Sequence, residues 1–71
     1  MTELELKILN YIKENPNCRW EAITRAFGVK RFDKEYLKAS SHLEKLGFIE
    51  PLGHVNYENM EIYLTYNLKN A

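Results

Sequence analysis

Ser40-Ser41-His42 and the lone Cys18 are the residues in this chain whose types could support nucleophilic chemistry. A hydroxyl nucleophile needs a base within hydrogen-bond reach. Consecutive residues on a helix point in different directions, so this run cannot supply such a pair. Cys18 has no partner for an internal disulfide, and one cysteine with two scattered histidines, His42 and His54, makes no zinc set. It reads as a small buried hydrophobe in a reducing compartment. Paired acids at a usable spacing and a glycine-rich phosphate loop are both missing, so the expectation is a non-enzyme with no cofactor and no metal. What remains is charge. Lys34, Lys38 and Lys45, with Ser41 and Leu37 among them, fall on one side of a helix at 100° per residue. Ammonium groups arranged in this way suit a polyanion, because they displace its condensed counterions. Hydroxyl and methyl tips between them can touch base edges.

The whole-chain balance hides this cluster. Ten basic and ten acidic residues cancel over the 71 positions. Residues 1–24 carry a net −1 and residues 46–71 a net −2, whereas residues 25–45 carry +3. The positive charge therefore gathers on one predicted helix and the turn before it, with Arg25, Lys30 and Arg31 preceding the lysines. A hydrophobic fraction of 45% with 28% charged residues fits a folded globular chain. The length suits one small domain, which buries only about 60% of its unfolded surface and so has a thin core. No apolar run approaches the roughly 20 residues of a membrane span. The N-terminus mixes acids with leucines at helical spacing and does not resemble a secretory signal, so a cytoplasmic location is expected.

Four elements must position the basic face. Leu4, Ile8, Tyr11 and Ile12 predict a helix from about Glu3 to Glu14, with Thr2 and Glu5 at capping-box spacing and Asn15-Pro16-Asn17 as its stop. Leu6 falls on the opposite side. Trp20, Ile23 and Phe27 predict a second, short helix ended by Gly28, and residues 17–19 could form a very short strand before it. A third helix is expected from about Phe32 or Asp33 to Leu46, with Phe32, Tyr36, Ala39, Leu43 and Leu46 as its packed stripe and Gly47 as its stop. A hairpin follows. One strand is expected over Phe48–Leu52, with Pro51 tolerable only near its end or on an edge. Gly53–Asn59 is expected as the loop. A returning strand starts at Met60, with Met60, Ile62, Leu64, Tyr66 and Leu68 on one face. Tyr57, Tyr63 and Tyr66 either anchor an interface or simply suit strands.

This order, in an α+β chain with three helices and a two-stranded hairpin wing, resembles the winged helix-turn-helix domain. "KILNYIKENPNCRWEAITRAFG" is similar to the first two helices of that group. "YLKASSHLEKLGFIE" is similar to its third helix and first wing strand, and "MEIYLTYN" to the returning strand of MarR- and PadR-type regulators. The resemblance covers nearly the whole chain. It implies a small sequence-specific DNA-binding protein, a transcriptional regulator, with the third helix in the major groove of double-stranded DNA. Carried over by position, Lys34, Leu37, Lys38, Ser41 and Lys45 would face DNA, and Arg25, Lys30 and Arg31 would reach phosphates. The wing from Phe48 to Asn59 has no Lys or Arg, leaving His54, Asn56 and Asn59 as its polar contacts. Regulators of this kind commonly bind as dimers. A homodimer here would use the Leu6 face or the last strand at Tyr66 and Leu68. The alternative is a protein-interaction module or an accessory subunit of a nucleic-acid machine, since a fold does not fix a function.

Overall fold

The computed structural model describes residues 1–69. Its elements are α1 (Glu3–Glu14), β1 (Cys18–Arg19), α2 (Trp20–Ala26), α3 (Lys34–Lys45), β2 (Ile49–Asn56) and β3 (Glu61–Leu68). The strands form one antiparallel sheet in the order β1-β3-β2.

Local signals set each helix end. At α1 the Glu5 N–H donates to Thr2 Oγ1 (3.2 Å) and the Thr2 N–H donates to Glu5 Oε1 (2.9 Å), the reciprocal capping box. Asn17, in the left-handed region at φ 63°, then redirects the chain into β1. Its N–H donates to Asn67 Oδ1 and the Asn67 amide donates back to Asn17 Oδ1, which ties this turn to β3. Helices α2 and α3 end alike. Gly28 (φ 68°) and Gly47 (φ 81°) take the left-handed position. The next residue in each case, Val29 or Phe48, bonds back to the carbonyl of Thr24 or Leu43 at 3.0 Å. These are Schellman stops, which satisfy carbonyls the helix leaves orphaned. Asp33 caps α3 by accepting from Glu35 and Tyr36 N–H groups.

The core gathers Ile8 and Ile12 of α1, Cys18, Trp20 and Ile23, Ala39 and Leu43 of α3, Ile49 of β2 and Tyr66 of β3. Around it, Tyr11, Phe27 and Tyr36 form a chain of aromatic contacts with centroids 5.8–5.9 Å apart. Tyr66 lies 5.9 Å from Trp20.

The structure departs from the sequence-based expectation at three places. Phe32 is 71% exposed and Leu46 52% exposed. Asp33 caps the helix after Phe32, and Leu46 is already the C-terminal cap, so the packed stripe reduces to Tyr36, Ala39 and Leu43. The wing loop is not Gly53–Asn59. Gly53, His54, Val55 and Asn56 pair with Leu64, Tyr63, Ile62 and Glu61, and the reversal falls at residues 57–60. There, Asn56 and Asn59 side chains accept from the Glu58 and Glu61 N–H groups. Pro51 stands in an edge strand, as its missing N–H requires. Finally, the alternating face of β3 is buried only at Tyr66 (8% exposed), while Ile62 stands 79% exposed beyond the body. Tyr66 therefore belongs to the core and is not available as a dimer contact. Leu6 (47%) and Leu68 (38%) remain exposed.

Glu5 also fastens α3. Its Oε2 contacts His42 Nδ1, so one buried carboxylate serves the α1 cap and the α1–α3 junction. The Thr2 N–H and then the His42 ring hold its carboxyl at about 2, below an ordinary value near 4.5, against the opposing effect of burial. A depressed carboxylate contributes stability that is fully present above 4.5 and is lost as pH falls toward 2. Glu5→Gln is expected to lower the urea midpoint at pH 7, with the difference from wild type shrinking through that window. An equal deficit at pH 7 and pH 2 would refute the assignment.

Candidate nucleic-acid interface

Because α3 buries Ala39, Ser40 and Leu43, its opposite side must face outward. Lys34, Lys38, Ser41 and Lys45 are all exposed there, with Leu37 beside them at 40%. Among the described residues none of the three lysines makes an ion pair. Glu35 and Glu44 lie on the same helix but are not within pairing distance of them. The ridge keeps its positive charge. Ser40 turns inward and its hydroxyl donates to the Leu37 carbonyl (2.9 Å), so it is not presented as a nucleophile, and Nδ1 of His42 is taken up by Glu5. Burial pushes the Cys18 thiol pKa up, which keeps it protonated and unreactive.

The remaining basic residues sit elsewhere. Lys30 is exposed in the turn between α2 and α3. Arg25 and Arg31 come together in a cleft of about 480 Å³ between α2 and the wing. The Arg31 carbonyl accepts from Trp20 Nε1 at 2.6 Å, and its guanidinium lies 3.5 Å from Glu21. Trp20 thus plugs the core with its ring and pins the turn with its N–H.

A third arginine, one that sequence spacing does not single out, lines this cleft. Arg19 pairs with Glu61 Oε1 at 2.8 Å, and its guanidinium carbon lies 3.7 Å from the centre of the Tyr63 ring. Tyr63 in turn stacks on His54, centroids 4.9 Å apart and planes at 12°, and His54 Nε2 lies 2.8 Å from the hydroxyl of buried Thr65. The local signal for Arg19 is slight. Alternation with buried Cys18 says that it points outward, but the pairing of β1 with β3 decides what it meets.

Three helices, the turn between α2 and α3, and a hairpin paired with the short strand before α2 define a winged helix-turn-helix fold. The solved structure of the transcriptional regulator SlyA superposes on 99% of this chain with a TM-score of 0.69 and 23% sequence identity. The chain spans 45% of that regulator's length. No protein-family model matches the sequence, and no curated protein matches it. Among the described residues no helix is long and apolar enough to cross a membrane.

Trp20→Phe keeps most of the ring volume but removes the bond to Arg31. It is expected to cost about 1–3 kcal/mol in urea unfolding. A loss below about 0.5 kcal/mol would show that the bond does not hold the turn.

Proposed function

We propose that the chain is a sequence-specific DNA-binding protein and a transcriptional regulator, with α3 in the major groove. The observation that carries this reading is the lysine ridge on α3, which has no ion pair among the described residues and lies opposite the residues that anchor the helix. Lys34, Lys38 and Lys45 would contact phosphates, and Leu37 and Ser41 would meet base edges. Arg25, Lys30 and Arg31 would add backbone contacts at the entry to the helix. The shared fold of a solved transcriptional regulator supports the same reading. Pairing of two copies through the exposed Leu6 side of α1 would offer two such helices to successive half-sites.

A second reading, a protein-interaction module, is favoured by one observation. The wing presents Tyr57, Met60 and Ile62, each at least 75% exposed, and no Lys or Arg.

Selection on random duplexes is expected to yield a preferred site. With about four phosphate contacts, log affinity should fall with log salt at a slope near −4 per module. Reversing Lys34, Lys38 and Lys45 together to Glu should abolish that binding while leaving the thermal midpoint within a few degrees. Unaltered duplex binding by the triple variant defeats the α3 assignment. A wild-type chain that binds no duplex at low salt but retains a protein partner favours the interaction module.

A further inference from the structure

The wing lacks cations of its own and carries Glu58 near its tip, yet a positive group is built into its base. We propose that the cleft between α2 and the wing is a second phosphate site, through which the wing holds the DNA backbone by way of Arg19. The inference rests on the DNA-binding reading above and adds to it a residue and a mode of contact.

The guanidinium of Arg19 is pre-positioned. Its backbone is fixed opposite Thr65, the Tyr63 ring lies beneath it, and Glu61 holds one of its edges. Tyr63 is itself held by the stack on His54, which reaches back to Thr65. Order in a long side chain normally costs rotamer entropy on binding; here that cost is met on folding. Arg31, its carbonyl held by Trp20, and Arg25 line the same cleft.

Planar guanidinium groups match pairs of phosphate oxygens, and Arg19 and Arg31 each keep donors that the carboxylate partner does not use. The partners, Glu61 and Glu21, form exposed pairs, with the arginine side chains 45% and 56% accessible. Pairs of this kind are worth little and yield readily to a phosphate. They keep the arginines in place until a ligand arrives. Arg31 lies in the turn that leads into α3, so the cleft adjoins the start of the lysine-bearing helix. A backbone phosphate seated there would lie next to the DNA that α3 engages. The strand edge of β3 from Glu61 to Leu64 has no partner in β1, which leaves the cleft open along its length.

The test is a salt series on the selected duplex with wild type and Arg19→Gln, together with the Arg19 Nε–H resonance of the wild-type protein. We expect the variant to bind every duplex about threefold to tenfold more weakly, to keep its site preference, and to lose about one from the salt slope. The wild-type resonance should shift on adding duplex, a readout that does not depend on the variant folding. An unchanged slope and an unshifted resonance, with binding still abolished by the α3 lysine reversal, overturns this inference and leaves the DNA-binding reading intact. A saturable shift with inorganic phosphate and none with duplex assigns the cleft to a free phosphorylated ligand and overturns the backbone contact. Absence of wild-type binding to any duplex removes both proposals.

Discussion

Helix α3 can serve an outside surface only if a very small inside surface holds it. Leu43 and Ala39 are the apolar side chains it buries, with Tyr36 half-covered beside them. Two side chains of that size cannot by themselves define the orientation of a 12-residue helix. Both ends contribute. Asp33 fixes where the helix starts, the Gly47 turn fixes where it stops, and Glu5 ties its flank to α1 through His42. The polar fastenings compensate for the thin core that a chain of this length can build.

Glu5 shows how economical this arrangement is. A carboxylate in the first turn of a helix is ordinarily a capping device. Here the same group is buried and also reaches a neighbouring helix. Trp20 is a second case, filling the core while its N–H fixes the turn that precedes α3. Placement of the basic helix therefore depends on a few side chains that each meet two requirements.

Much of the fold is legible in the sequence because helix boundaries are written locally. Thr2 with Glu5, Gly28 and Gly47 each announce an end within four residues, and the ends fall where those residues stand. The short strand at Cys18–Arg19 is legible as an option, and its pairing with β3 makes it real. Expectation and structure part where local signals compete. Phe32 fits the helical period of α3, but the Asp33 cap excludes it from the helix. Gly53 looks like a turn, yet the long alternation of the returning strand needs a partner of similar length, and pairing carries β2 through to Asn56. Period two in β3 correctly indicates a strand but not its burial, because the wing outruns the body that would cover it. The lysine ridge can be read from spacing alone. Arg19 cannot, because its neighbours Glu61 and Tyr63 are distant in sequence and reach it only through sheet registry.

Pro51 has a consequence beyond its own strand. The run Glu61–Tyr66, EIYLTY, combines β-branched and aromatic residues with no proline or glycine, the composition that self-associates most readily once uncovered. In the native sheet it occupies the central strand, shielded along one side by β2. Recruitment of a further chain along the outer side of β2 meets the imide ring, which interrupts the row of donors there beside the charge of Glu50, whereas β3 from Glu61 to Leu64 keeps a second edge that β1 does not cover. One residue that cannot donate a hydrogen bond thus guards the β2 edge of a hydrophobic hairpin against fibrillar stacking.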